Sequence, residues 1–187
     1  GMKEAYRQLS AGEATMPLRS RIDMTSENGV AFFMPAAMQG DSMDAAGALA
    51  IKVVSIFGEN PARGMPLIHA VVLALDADSG RPLALLEGGT LTAIRTGAAS
   101  GAATDLLARP DAATLAIFGS GVQARTQLQA VCTVRTIKRG WVYNPKTVKA
   151  EAFVSEMRGQ GPIPRDLLVA ESPKQALAGA DIVCTAT

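Results

Sequence analysis

Residues 114–124, TLAIFGSGVQA, place Gly119, Gly121 and Ala124 in the order G-x-G-x-x-A, directly after an apolar run and at the head of a helical pattern. That spacing suits a dinucleotide pyrophosphate. Gly119 permits the tight turn, Gly121 has no Cβ and lets a phosphate approach the backbone, and Ala124 lets the helix pack near the strand. The helix start then offers free N–H groups and a favourable dipole to the phosphates. A lone G-x-G marks any tight turn. The strand before it, the helix after it and a second strand about 20 residues on make the dinucleotide reading. An acid at the end of that second strand would bind the ribose of NAD. The chain instead has Tyr143-Asn144-Pro145-Lys146-Thr147. Asn144, Lys146 and Thr147 can accept a 2′-phosphate, which favours NADP over NAD. The plainer alternative is that Lys146 sits at a solvated helix start.

The other candidates lie in the first part of the chain. Lys52 interrupts the apolar run 48–57, and from position alone it reads as an edge-strand lysine facing solvent. Arg95, in LTAIRTGAAS, is expected in the first turns of an Ala-rich helix, where a cation opposes the dipole and calls for an anion. Its alternative is a surface arginine. Arg19 and Arg21 flank Ser20 and mean little alone. The single His69 shares one strand face with Leu67, Val71 and Leu73 and reads as structural. One histidine excludes a His-rich metal site, and no metal is expected. Cys132 and Cys184 sit in apolar runs and read as buried free thiols of a reducing compartment.

These residues need elements to hold them. A helix is expected over 2–10, strands over 29–34 (closed by Pro35) and 48–57, and a hairpin of strands 67–76 and 82–87 around DADSG. A helix follows over 90–107, ended before Pro110. From residue 114, strands alternate with helices, which implies a parallel sheet covered by helices. A boundary near Pro110 gives two domains, 1–110 and 111–187. The 187 residues carry 18 Lys plus Arg against 17 Asp plus Glu, so nothing in the charge suggests a nucleic-acid partner. No run is long and apolar enough for a membrane span, and the start lacks a signal-peptide core. The cytoplasm is the expected location.

The stretches KVVSIFGENPARGMP, LALDADSGRPLALLEGGTLTAIRTGAASGAATDLLARPDA and LAIFGSGVQARTQLQAV resemble the ornithine cyclodeaminase/mu-crystallin family. The resemblance runs over almost the whole chain, and RTGAAS with GSGVQA at this separation is far more specific than a Gly-rich turn. It implies an α/β protein in which an α+β domain for substrate and dimerisation precedes a Rossmann-like doubly wound parallel sheet. It also implies a homodimer with the active site in the cleft between the domains. It gives Lys52 the acid/base role, with a pKa that burial lowers, and surrounds the substrate carboxylate with Arg19, Arg95 and Lys52. Thr96, Gly121, Val122 and Gln123 would touch the cofactor phosphates, and Met34-Pro35 matches a turn at the pocket.

Two departures matter. Ornithine cyclodeaminases carry a glutamate two residues before that Met, where this chain has Phe32. The implied activity is therefore an NAD(P)-dependent oxidoreductase acting on the Cα–N bond of a small amino or cyclic imino acid. An ammonia-lyase cyclodeaminase with bound NAD, and a non-catalytic crystallin-like binding protein, are the alternatives. The second departure is length. About four Rossmann strands are counted against six in the full fold, so the chain is expected to be truncated at both ends and inactive alone.

Overall fold

The computed structural model describes residues 1–38, 40 and 47–187. The chain divides into two compact units, essentially Lys3–Thr92 and Ala93–Thr187. By contact the division falls between Thr92 and Ala93.

The first unit opens with helix α1 (Met2–Ser10) and strands β1 (Ala14–Thr15) and β2 (Ser20–Met24). Strands β3 (Gly29–Met38), β4 (Ala48–Phe57), β5 (Ile68–Leu75) and β6 (Pro82–Glu87) follow. They form one antiparallel sheet in the order β1-β3-β4-β5-β6, with β2 pairing β3 alongside β1. The β5–β6 turn is closed by Asp76, whose Oδ1 accepts from the N–H groups of Asp78 (3.2 Å) and Ser79 (2.8 Å). This is the local turn chemistry that aspartate favours.

Two expectations fail here. Pro35 does not close β3, which runs on to Met38 with Pro35 opposite Ile51 of β4. The other edge of β3 is paired with β2 at Gly29–Phe33 and with β1 at Ala37–Met38, so Pro35 falls in the gap between them. A residue without an N–H is tolerated where no partner strand needs it. Nor is Lys52 on an edge: Met34 of β3 and Val72 of β5 flank it.

The second unit holds most of helix α2 (Gly88–Leu107), then β7 (Thr114–Phe118), α3 (Val122–Val134), β8 (Arg139–Tyr143) and α4 (Thr147–Met157). It ends with β9 (Asp166–Val169), α5 (Pro173–Leu177) and β10 (Ile182–Thr185). The four strands are parallel in the order β10-β7-β8-β9, so the chain reverses direction across the sheet beside β7. Open α/β sheets bind ligands at such a switch point, outside the carboxyl ends of the strands. The fully buried core lies here, with Leu115, Ile117, Leu128, Val131, Phe153 and Leu167 at its centre. Strands β2–β6, by contrast, carry no fully buried residue.

Helix α2 begins at Gly88, two residues earlier than expected, and is capped from outside. The Glu87 carboxylate accepts from the N–H groups of Gly89 and Thr90, each at 2.6 Å. Those bonds hold its carboxyl below the usual range. In its second half, small residues do the packing. A Cβ on Gly97 would stand 2.6 Å from the Thr126 carbonyl oxygen of α3, and one on Gly101 3.1 Å from the Ala130 Cβ. This close approach of two backbones ties α2 from Ala93 onward to the second unit.

Candidate functional site

In the first unit, Lys52 sits mid-strand on β4 and is half-buried. Its Nζ donates to Thr92 Oγ1 at 2.8 Å, in the first turns of α2. Side chains alternate across a sheet. Register therefore puts Phe32, Met34, Lys52, Val54, Val72 and Leu86 on one face. His69 lies opposite Ser55 and falls on the other face, away from Lys52. Arg19, exposed just before β2, lays its guanidinium over the Phe32 ring at 4.9 Å from the centroid. Arg21 approaches the same ring at 5.8 Å but is committed to Asp23, at 2.6 Å. Arg19 is thus brought to a residue that is a diagonal neighbour of Lys52, where cross-strand side chains come within reach of one another.

In the second unit, Gly119 adopts φ +103°, and a methyl there would enter the Ala186 carbonyl at the end of β10. Its N–H donates to the Tyr143 carbonyl at 2.8 Å, which fastens the turn to the end of β8. Gly121 is the N-cap of α3 in an ordinary extended conformation with no side-chain cap, and a Cβ on it would meet nothing within 4 Å. The turn is therefore open at the place where a pyrophosphate must approach. Val122 is exposed, and Ala124 is fully buried against the strand, as the fingerprint requires. The Gln123 Oε1 is buried and has no partner among the described residues. A bound group with a hydroxyl or amide would satisfy it. Arg125 looks placed for a phosphate, but it is held by Glu156 (Nε–Oε1 2.8 Å) and lies over the Phe153 ring. On these observations the residues fit a dinucleotide.

Asn144 bridges the turn and the next helix. Its Nδ2 donates to Ser120 Oγ at 2.8 Å and its Oδ1 accepts from the Lys146 N–H at 2.8 Å. Lys146 and Thr147 are exposed at the start of α4, which has no side-chain cap. Thr96 is half-buried and adjoins Gly97, the residue pressed on α3. Arg95 is exposed and stands two turns into α2, because the helix starts at Gly88. The dipole fades within the first turn, so the electrostatic argument for an anion at Arg95 loses its basis. No cluster of three metal-ligating side chains occurs among the described residues.

Sequence reasoning missed Thr92 and Ser120. Thr92 had a signal: it precedes Arg95 and Thr96 by three and four residues, the spacing of one helical face.

The family model described as the ornithine cyclodeaminase/mu-crystallin family matches residues 1–187. A Δ1-pyrroline-2-carboxylate reductase of Bacillus cereus is 37% identical over 183 residues, covering 98% of this chain and 54% of the relative. The structure of the Thermococcus litoralis Δ1-pyrroline-2-carboxylate reductase in complex with NADH and L-proline is similar over 100% of this chain and 55% of its own. Its TM-score is 0.86 and its identity 42%. An archaeal alanine dehydrogenase dimer with bound NAD matches with TM-score 0.85 and 30% identity, over 100% of this chain and 54% of its own. The chain spans about half the length of these relatives.

Proposed function

Because the chain belongs to the ornithine cyclodeaminase/mu-crystallin family, we propose that its protein is an NAD(P)-dependent oxidoreductase acting on the Cα–N bond of a small cyclic imino acid or amino acid. A pyrroline carboxylate is the favoured substrate. The carrying observation is Lys52, an amine held at 2.8 Å by a hydroxyl on the sheet face that also bears Phe32. When bound, the nicotinamide supplies or takes up the hydride at Cα. Lys52 gives a proton to the substrate nitrogen in the reductive direction and accepts it in the oxidative one. Arg19 would hold the carboxylate, and for Arg95 that role rests on the family resemblance alone. Gly119, Gly121, Val122, Gln123 and Thr96 seat the pyrophosphate.

Phe32 supports a reductase over a cyclodeaminase. Its ring packs against Arg19 and offers no carboxylate to a second substrate ammonium. The absence of an acid after Tyr143, with Lys146 and Thr147 exposed there, supports NADP; the relatives solved with NADH and NAD keep NAD open. A homodimer is supported by the sheet face opposite Lys52, where Ile22 is 51% and Leu85 71% exposed, and by the dimeric alanine dehydrogenase. No described helix is long and apolar enough to cross a membrane. Two buried free thiols support a reducing compartment such as the cytoplasm.

The test is loss of nicotinamide absorbance with pyrroline-2-carboxylate in a protein of the relatives' length. Net cofactor oxidation is expected, and Lys52→Ala should abolish it while leaving NAD(P)H binding nearly intact. Full activity in that variant would overturn the assignment. Ammonia release without net cofactor change would favour the cyclodeaminase.

A further inference from the structure

We propose that Thr92 is a positioning residue for Lys52, and that the β6–α2 junction is built to deliver its hydroxyl to that amine. The hydrogen bond, at 2.8 Å, joins residues forty positions apart, so its geometry depends on where α2 begins. Three features fix that start. Across the sheet, Lys52 is level with Val72 and Val72 with Leu86, one residue before the end of β6. Gly88 lies so close to β5 that a Cβ on it would stand 2.6 Å from the Ala70 carbonyl carbon and 2.8 Å from the Val71 nitrogen. The Glu87 carboxylate then takes the N–H groups of Gly89 and Thr90 and sets the direction of the first turn. Thr92, one helical turn beyond Gly88, therefore reaches the level of Lys52.

A lysine ammonium has three donor hydrogens on a rotatable last bond. A hydroxyl that accepts one of them restricts that rotation and aims the remaining hydrogens. This rests on the reading of Lys52 as the acid/base group only for its consequence in turnover; the positioning itself is measurable without substrate or cofactor.

The experiment is competitive acetylation of this chain with limiting acetic anhydride, read lysine by lysine by mass spectrometry. Lys138, Lys149 and Lys174, all exposed, serve as internal references. Thr92→Val and Thr92→Ala remove the acceptor; Thr92→Ser keeps it. The two former should raise Lys52 acetylation about tenfold relative to the references, as loss of a hydrogen bond to a charged group implies. Thr92→Ser should stay within about twofold of the parent. Gly88→Ala, which displaces the helix start, should raise it as the valine variant does. Parental Lys52 reactivity in both Thr92→Val and Thr92→Ala would overturn the proposal. A serine variant that behaves like valine would do the same, as would a rise common to all lysines, which marks a role in folding alone. Failure of the acid/base reading of Lys52 shows separately, as undiminished turnover in Lys52→Ala.

Discussion

Replacing Gly121 by alanine separates what the Gly-rich turn does for the fold from what it does for a ligand. Gly121 has φ −91° and ψ −166°, a conformation any residue adopts, and its Cβ would point into open space. Alanine gains by restricting the unfolded chain, about 0.4–1 kcal/mol, and loses a comparable amount as a poorer N-cap than glycine. The two nearly cancel, so the melting temperature should move by no more than about 4 °C. Binding should respond differently. The methyl would fill the space through which a pyrophosphate oxygen would approach the backbone of α3, at the expense of one charge-assisted hydrogen bond, about 1.5–3 kcal/mol. That is roughly a 10- to 150-fold weaker Kd, read by fluorescence titration with NADH and NADPH. Gly119→Ala is the contrast. Its φ of +103° and the Ala186 carbonyl against it make alanine strained, at about 1–3 kcal/mol for the backbone alone, so stability and binding should fall together. The reasoning is refuted if Gly121→Ala binds either dinucleotide within twofold of the parent, or melts as early as Gly119→Ala.

Lys146→Ala should weaken NADPH binding about fivefold, the scale of one exposed ion pair, and leave NADH nearly unchanged; equal effects on both would remove Lys146 from 2′-phosphate recognition. Burial pushes the Cys132 thiol up to about 12 and the Cys184 thiol up to about 11. Neither should react with a disulfide reagent at mildly alkaline pH until denaturant is added, and rapid native labelling would contradict their burial. Asp181 accepts from the N–H groups of Ala113 and Thr114, each at 2.9 Å, and pairs with Arg109. Those backbone bonds, with the arginine, hold its carboxyl below its ordinary 3.8. Its contribution is therefore fully present above that ordinary value and is lost as pH falls through the depressed one. Asp181→Asn should destabilise the second unit most near neutrality, and the gap to the parent should close in acid; a gap that is constant with pH would show that the charge plays no part.

The sequence made the second sheet the easier one to read. Strands β7, β8 and β9 are short runs each followed by a helix, and parallel order follows from that alternation. The Gly-rich turn was legible for the same reason: a tight turn, an open backbone and a close helix are demands on single residues, and Gly119, Gly121 and Ala124 meet them one by one. Asn144 was visible as a missing carboxylate. That it ties Ser120 to the Lys146 N–H was not, since the bond depends on how β7 and β8 register.

The first sheet was less legible because antiparallel neighbours are chosen at long range. Strand β2, SRIDM, has all five residues exposed and lacks the apolar run that marks a strand. It exists because β3 offers it an edge. Lys52 shows the cost of local reading most directly. A lysine in an apolar run reads as an edge residue because burying an amine without a partner is expensive. That argument is sound, but it assumes that no partner exists. One partner is a threonine forty residues on, set in place by a glycine that admits no side chain and a glutamate that caps the start of α2. A half-buried lysine in a central strand therefore calls for an acceptor, and here it comes from the first turns of the helix that follows the last strand of the sheet.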